Sequence, residues 1–161
     1  MDYLWSPWRF RYIAGPKTER DCVFCAIAAS GDDEQNLVLY RAKLNFIVLN
    51  RYPYSAGHLM VVPYAHLGKL ELTSDATTAE MMQLMRRAET VLGTVYHPEG
   101  LNMGINLGAS AGAGVAGHLH MHVVPRWPGD ANFMTTIAET RVLPEELATT
   151  YQKLRSECAQ W

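Results

Sequence analysis

Residues 117–127 read Gly117-His118-Leu119-His120-Met121-His122-Val123-Val124-Pro125-Arg126-Trp127, and three histidines alternate here with apolar residues. Side chains of a β-strand point alternately to its two faces, so a strand places His118, His120 and His122 on one face, about 6–7 Å apart. Leu119, Met121 and Val123 then point into a core. A helix would distribute the imidazoles around its circumference. Imidazoles in a row supply metal ligands, nucleophiles or proton carriers. The alternative is a polar edge strand rich in histidine, although half of the six histidines lie here.

The composition indicates one ordinary globular domain, since 161 residues are enough to bury a self-sufficient core. Hydrophobic residues make up 48% and charged residues 19%, and the net charge of −2 argues against electrostatic binding to nucleic acid or a membrane surface. No secretion signal or apolar run of transmembrane length is recognisable, so we expect a cytoplasmic protein. Of the three cysteines, two form Cys22-Val23-Phe24-Cys25, a spacing typical of a metal knuckle or a redox pair.

Hydrophobic patterning predicts an α+β fold. An ordered aromatic arm, residues 1–21, precedes a single domain, residues 22–161. Apolar runs bounded by turn residues predict strands at 37–40, 46–49, 58–63 and 102–107, with the histidine stretch as a fifth strand. Helical spacing predicts one long helix over 78–95, and Pro144-Glu145-Glu146 opens a C-terminal helix. Because short hairpins dominate, we expect an antiparallel five-stranded sheet with helices packed on one face.

A loop of small residues, 108–117, leads directly into the histidine stretch. Glycine and alanine allow backbone N–H groups to approach an anion without steric hindrance. The histidines that follow would present a nucleophile beside that anion. Together, the loop and the histidines predict a phosphate site.

The stretch His118-Leu119-His120-Met121-His122-Val123-Val124 resembles the signature of the histidine triad family of nucleotide hydrolases and transferases. Three further stretches resemble a bacterial branch that includes diadenosine tetraphosphate phosphorylases: Leu4 to Arg9, Val124 to Trp127, and Gly129 to Phe133. The resemblance implies a homodimer whose two five-stranded sheets join into one continuous ten-stranded sheet. It also implies a two-step reaction at a nucleotide α-phosphate.

The resemblance assigns catalytic roles to four histidines. His120 would attack phosphorus and hold the nucleotide as a phosphoramidate, and His122 would contact the phosphate. His118 completes the triad, and His58 on a neighbouring strand would orient it. The remaining nucleotide-binding positions implied are Asn50 and Asn106 near the ribose, and Ser110, Gly112, Ala113, Gly114 and Val115 in the loop. Both asparagines are also typical of turns and strand edges.

The loop differs from that of other branches, which carry a hydroxyl or amide side chain to assist the leaving group. The nearest equivalents here are Ala113, Gly114 and Val115, with Ser110 further away. We therefore expect main-chain N–H groups to bind the phosphate instead.

Cys22 and Cys25 have the spacing of zinc ligands, and zinc favours four nitrogen or sulfur ligands in a tetrahedron. The resemblance supplies His66 and His118 as the other two. We expect a structural zinc that attaches the N-terminal segment beside the active site. The alternative is a pair of buried, reduced cysteines.

Two classes of function follow from these predictions. One is an enzyme that cleaves dinucleoside polyphosphates such as diadenosine tetraphosphate, or nucleoside phosphoramidates. The other is a nucleotide-binding regulatory module with slow turnover. The expected partner is a purine nucleotide or dinucleoside polyphosphate. Inorganic phosphate is a further candidate, as an acceptor held by the loop and Arg126; neither nucleic acid nor a membrane is expected.

Overall fold

Five short strands form one antiparallel sheet in the computed structural model, which describes residues 22–130 and 144–161. The predicted arm, 1–21, lies outside the described residues. The strands are β1 (Val38–Arg41), β2 (Asn45–Leu49), β3 (Leu59–Pro63), β4 (Gly100–Ile105) and β5 (Met121–Arg126). Their order in the sheet is β1-β2-β3-β5-β4. The antiparallel five-stranded α+β prediction is therefore confirmed.

The long helix, α2 (Asp75–Tyr96), connects β3 to β4, as the helical spacing predicts. Ser74 is its N-cap, and the Ser74 side chain accepts a hydrogen bond from the Thr77 N–H. The helix ends at His97, which takes a left-handed conformation with φ 46°. It is one turn longer at its N-terminus than predicted, since the cap lies at Ser74.

One face of the sheet is covered by α2 and by the C-terminal helix α3 (Leu147–Cys158). Strands β2 and β3 are buried throughout, and alternate residues point to this face. The core on this side includes Leu39, Ile47, Leu49, Leu59, Val61, Met81, Leu84, Leu92, Val123, Tyr151 and Leu154.

The opposite face is covered by a two-turn helix, α1 (Val23–Ala29). Phe24 packs there against the other alternate residues of the sheet, among them Val38, Phe46, Val48, Met60 and Val62. The expectation that helices pack on one face only is therefore wrong for α1. In a sheet whose central strands are apolar on both faces, the second face also needs cover.

The regular strand begins later in the histidine stretch than predicted. Ladder pairing with β3 starts at Met121, opposite Val61. Before it, the Leu119 N–H donates to the Leu67 carbonyl and the His118 N–H to the Val115 carbonyl. These bonds divert the backbone from the ladder, although the alternation of side chains is kept: Leu119 and Val123 are buried in the core. No helix among the described residues is long and apolar enough to cross a membrane.

Candidate functional site

The structure brings the predicted histidines into two adjoining groups, one beside the start of β3 and the other beside its end at Pro63. His58, immediately before β3, lies with His120 and His122 in the first group. His118 lies with His66 and the two cysteines in the second group. His118 takes part in both groups: its backbone carbonyl contacts His120, and its ring lies with the cysteines and His66.

His120 has the geometry of a nitrogen nucleophile. Its Nδ1 lies 2.8 Å from the His118 carbonyl oxygen, which only accepts hydrogen bonds, so Nδ1 carries the proton. The lone pair of the neutral ring is then on Nε2. The side chain is buried, with 5% exposure. Burial lowers the pKa of His120 and outweighs the opposing hydrogen bond to His118, which favours the neutral, nucleophilic imidazole.

His122 lies beside His120, with the two ring centroids 5.0 Å apart. Its Nδ1 is 3.0 Å from Nε2 of His58. His58 is 1% exposed, and its Nδ1 accepts a hydrogen bond from the Tyr54 N–H at 3.0 Å. The Tyr54 ring also packs on His58, with centroids 4.7 Å apart. His58 thus connects the loop after β2 to the triad.

The two asparagines occupy the ends of β2 and β4. Asn50 directly follows β2, and its Oδ1 accepts a hydrogen bond from the Tyr52 N–H at 2.9 Å. Its Nδ2 lies 3.5 and 3.4 Å from the two ring nitrogens of His58. Asn106 is half-buried just after β4, whose register with β5 pairs Ile105 with Met121. Asn106 therefore directly follows the residue paired with the first residue of β5.

The small-residue loop folds partly on itself. Ser110 is exposed within a short 3-10 helix, Ala109–Ala111, and Gly112 follows with φ 91°. The N–H groups of Ala111 and Ala113 donate to the Gly108 carbonyl, and that of Gly112 donates to Ala109. These three N–H groups are therefore engaged within the loop.

Four side chains form a candidate metal centre: Cys22, Cys25, His66 and His118. Their ligand atoms all lie within 4.8 Å of one another. Nδ1 of His118 is 3.3 Å from the Cys22 sulfur and 3.6 Å from the Cys25 sulfur, and Nδ1 of His66 is 3.2 Å from the Cys25 sulfur. Tetrahedral zinc holds sulfur and nitrogen ligands about 3.5 Å apart, given its usual bond lengths. The donor set and spacing therefore fit zinc.

The hydrogen bonding around the candidate metal centre supports the same conclusion. Nε2 of His118 lies 2.8 Å from the Pro63 carbonyl oxygen, so it carries the proton and leaves Nδ1 as a ligand atom. Burial is the main reason that the pKa of His118 is lowered, which also favours the neutral ring. Both nitrogens of His118 thus have partners other than His120.

Arg41 of β1 holds the helix that carries the two cysteines. Its guanidinium donates to the carbonyls of Ile27, Ala28 and Ser30 at the end of α1, and to the Asp33 carboxylate at 2.7 Å. Basic side chains satisfy the last carbonyls of a helix in this way. Arg41 therefore fixes the position of α1 on the sheet.

Arg126 does not contribute charge to the candidate phosphate site, contrary to expectation. It lies about 13 Å along β5 from His122. Its guanidinium binds both oxygens of Asp130, at 2.5 and 2.9 Å, and the Asn102 side chain at 2.6 Å. The Pro128-Gly129 turn brings Asp130 back to Arg126, so this turn followed by an acid was the sequence signal that could have revealed the pairing.

Phe24 and Tyr54 belong to the site although the sequence reasoning missed them. The Phe24 ring centroid lies 5.3 Å from that of His118 and 5.0 Å from that of His120. Phe24 thus touches both groups of histidines. Its position between Cys22 and Cys25 was the available signal, since a side chain between two ligands lies close to the metal centre.

The chain belongs to the HIT domain family, whose model matches residues 32–129. This agrees with the alternating histidines and with the five-stranded sheet that carries them.

Two curated relatives are informative. The chain is 45% identical over 167 residues to a protein of Mycobacterium tuberculosis named AP-4-A phosphorylase, covering 99% of this chain and 86% of that protein. It is 28% identical over 138 residues to adenosine 5′-monophosphoramidase hnt1 of Schizosaccharomyces pombe, covering 80% and 96%. Among solved structures, a zinc-bound histidine triad family protein from Mycobacterium smegmatis matches with a TM-score of 0.71 and 30% identity, covering 89% of this chain and 96% of that one.

Proposed function

We propose that this protein cleaves dinucleoside polyphosphates of the diadenosine tetraphosphate type at an α-phosphate, through a nucleotidyl-histidine intermediate on His120. The observation that carries the proposal is the Nδ1–H bond from buried His120 to the His118 carbonyl, which leaves the Nε2 lone pair as the nucleophile. The names of the relatives, AP-4-A phosphorylase and adenosine 5′-monophosphoramidase, support chemistry at the same kind of phosphorus.

In the first step, the Nε2 lone pair of His120 attacks the α-phosphorus. A P–N bond forms, and the P–O bond to the remaining polyphosphate breaks with its electron pair on the leaving oxygen. His122, whose ring lies 5.0 Å from His120, is placed to contact the phosphate. In the second step, an acceptor oxygen attacks phosphorus and a P–O bond forms, while the P–N bond breaks with its electron pair on Nε2. A proton on the attacking oxygen passes to solvent.

We further propose inorganic phosphate as an acceptor in the second step. The 45% identity to a protein named AP-4-A phosphorylase supports this choice. Since Arg126 is bound to Asp130, the triad beside the small-residue loop is the part of the site that would receive the phosphate. Phosphorolysis of diadenosine tetraphosphate gives ADP and ATP, whereas asymmetric hydrolysis gives AMP and ATP. Product analysis with and without millimolar phosphate separates the two, and AMP at a rate indifferent to phosphate would contradict phosphorolysis.

A nucleoside phosphoramidate is the second candidate substrate. The predicted leaving-group positions of the loop carry no hydroxyl or amide except Ser110, which is exposed on the 3-10 helix. A phosphoramidate differs from a polyphosphate in its leaving group, which is an amine. The relative turnover of the two substrates therefore tests which leaving group the loop can assist. Absence of turnover on either substrate, with nucleotide binding retained, would favour a regulatory module.

Replacing the nucleophile tests the proposed function directly. His120→Asn should retain nucleotide binding and lose turnover by at least about a thousandfold, because no lone pair remains at the position of Nε2. His97→Asn is a matched control, since His97 is exposed at the end of α2 in a left-handed conformation that asparagine tolerates. An acid-labile nucleotidyl adduct on the His120→Asn protein would contradict the assignment.

We also propose that Cys22, Cys25, His66 and His118 hold a structural zinc. The observed S···N separations and the Nε2–H bond of His118 to Pro63 support it, as does the name of the zinc-bound relative. A four-ligand zinc site leaves no open position for substrate, so it would stabilise the fold. It would join α1 to the segment before β5.

A homodimer is proposed from the edge of the sheet. β4 is one of the two edge strands, and among the described residues it pairs with β5 alone. Met103 and Leu107 are 42% and 48% exposed on and just after it. Pairing of this edge with a second copy would extend the sheet to ten strands and cover both side chains. A single domain over 22–161 and a cytoplasmic location stay predictions from the sequence.

A further inference from the structure

The loop between β2 and β3, residues 50–57, is held at several points beside the triad. The Asn50 Oδ1 accepts the Tyr52 N–H at 2.9 Å, and the Ser55 hydroxyl donates to the Pro125 carbonyl of β5 at 2.8 Å. The His58 N–H donates back to the Ser55 carbonyl at 3.2 Å. Gly57 has φ 76°, and a Cβ there would press on Leu92 and Tyr96. These contacts hold the Tyr54 amide in a fixed place.

Two donors lie beside the His58 ring, and the Tyr54 N–H is the one that distinguishes its nitrogens. The Asn50 Nδ2 lies 3.5 Å from Nδ1 and 3.4 Å from Nε2, at the limit of hydrogen bonding and nearly equidistant, so it favours neither. A backbone N–H only donates, so Nδ1 of His58, 3.0 Å away, must accept. The neutral His58 ring then carries its proton on Nε2, which lies 3.0 Å from Nδ1 of His122. Because Nε2–H donates there, Nδ1 of His122 accepts in turn. The proton of neutral His122 is left on Nε2.

The Tyr54 ring restricts the same two imidazoles. Its centroid lies 4.7 Å from that of His58 and 6.1 Å from that of His122, nearly parallel to the latter with 25° between planes. The His122 ring also packs edge-to-face with the His120 ring, with the two centroids 5.0 Å apart. A half-turn of either ring about its Cβ–Cγ bond would exchange nitrogens for carbons and break the hydrogen bonds.

We propose that Tyr54 is a positioning residue for the transfer reaction. Its amide fixes His58, and through it His122, in the tautomer that offers an Nε2–H donor beside His120, while its ring holds both imidazoles in place. The proposal rests on the proposed function for its catalytic meaning, since an Nε2–H donor stabilises negative charge on the oxygens of the reacting phosphate. The tautomers themselves are a property of the protein without substrate.

The first test is long-range 1H–15N NMR of protein labelled at its six histidines, recorded near neutral pH without substrate. His58 and His122 are assigned by the loss of their signals in the His58→Asn and His122→Asn proteins. We expect a pyridine-type Nδ1 and a pyrrole-type Nε2 in both rings. A pyrrole-type Nδ1 in either ring overturns the proposal.

The second test removes only the Tyr54 N–H, by replacing Tyr54 with the α-hydroxy acid analogue of tyrosine, so that an ester replaces the amide. We expect the two His58 nitrogens to shift toward values of mixed tautomers. We also expect kcat to fall about five- to tenfold, the worth of one hydrogen bond, with KM unchanged. Unchanged shifts and an unchanged kcat overturn the proposal.

Tyr52 provides a matched control, because its N–H donates to Asn50 in the same loop and not to a histidine. The same ester at Tyr52 should shift the nitrogen signals of His58 and His122 far less than the ester at Tyr54, because it reaches His58 only through Asn50, whose Nδ2 lies nearly equidistant from the two ring nitrogens. Equal shifts from both esters would indicate a general loosening of the loop and overturn the specific role of Tyr54. If the shifts agree with expectation while the protein turns over no nucleotide substrate, the proposed function fails and the tautomer assignment stands.

The contribution of the Tyr54 ring to kcat is tested with Tyr54→Ala and Tyr54→Phe, both of which keep the backbone amide. Tyr54→Ala should lower kcat several-fold with KM retained, and Tyr54→Phe should restore it to within about twofold, because the packing face is kept. An alanine variant with the kcat of the unmodified protein would contradict the part assigned to the ring.

Discussion

Replacing Phe24 by alanine should lower the free energy of unfolding by an amount that follows from the burial of its ring. The ring is 5% exposed and packs on the face of the sheet that α1 covers. Truncation of a buried phenylalanine costs about 3–5 kcal/mol in the free energy of unfolding. Because α1 has only seven residues and can move toward the sheet, we expect the lower end, about 3 kcal/mol. In a chain of this length, that loss lowers Tm by roughly 6–12 °C.

The assay is urea and thermal unfolding followed by circular dichroism at a fixed zinc concentration, since ligand binding adds to apparent stability. Val23 is the matched control, because it lies next to Phe24 on α1 and is 46% exposed. Val23→Ala should change the free energy of unfolding by less than about 0.5 kcal/mol. Phe24→Leu keeps most of the apolar volume and should lose about 1 kcal/mol.

A second readout connects the packing of Phe24 to the chemistry. Its centroid lies 5.0 Å from that of His120, so Phe24→Ala removes a contact that holds the imidazole. Formation of the nucleotidyl-histidine in a single turnover should therefore be slower in Phe24→Ala than in Val23→Ala, both measured well below their Tm. A stability difference of less than about 1 kcal/mol between these variants would refute the packing argument, since surface substitutions lie in that range. Equal rates would refute the positioning argument.

Three further predictions concern the metal, the assembly and acid stability. Protein purified without added zinc should contain about one zinc per chain by metal analysis, and Cys22→Ser should lose it; unchanged metal content and stability would contradict the site. Light scattering should give twice the 18.0 kDa of one chain, and Met103→Asp should shift this toward the monomer; an unmodified protein that is monomeric excludes the dimer. Burial alone would raise the pKa of Glu145, but hydrogen bonds from Lys153 and Tyr96, among others, hold it below its ordinary 4.5. Its contribution is thus present above pH 4.5 and lost as the pH falls below, so the stability difference between the protein and Glu145→Gln should vanish in acid; a difference independent of pH would contradict it.

The sequence predicts the sheet and the triad well because both depend on local patterns. Alternation of histidine with apolar residues places Leu119 and Val123 in the core whether or not the regular ladder has begun. The apolar runs of β2 and β3, bounded by Pro and Gly, locate the two central strands to within one residue. The exact start of β5 escapes prediction, because it depends on the bond from the Leu119 N–H to the Leu67 carbonyl.

Contacts between distant parts of the chain account for most of what the sequence could not provide. The contact of Phe24 with His120 joins α1 to the segment before β5, and no local pattern encodes it. The role of the Tyr54 amide is equally hidden, because a backbone N–H is present at almost every residue. The position of Arg126, by contrast, follows from local sequence. Its partner Asp130 is four residues away, and the length of β5 between Arg126 and His122 keeps Arg126 away from the triad.

The candidate metal centre and the proposed nucleophile, His120, are connected through a single residue, His118. The His118 ring uses Nδ1 toward the two cysteines and Nε2 toward the Pro63 carbonyl, while its own carbonyl accepts the Nδ1–H of His120. A ligand that fixed the ring of His118 would therefore also fix the oxygen that determines the tautomer of His120. The carbonyl of His118 orients His120 from one side, as the Tyr54 amide orients His58 and His122 from the other. In each case a backbone group of fixed hydrogen-bonding sense, and not a titratable side chain, decides where the imidazole proton lies.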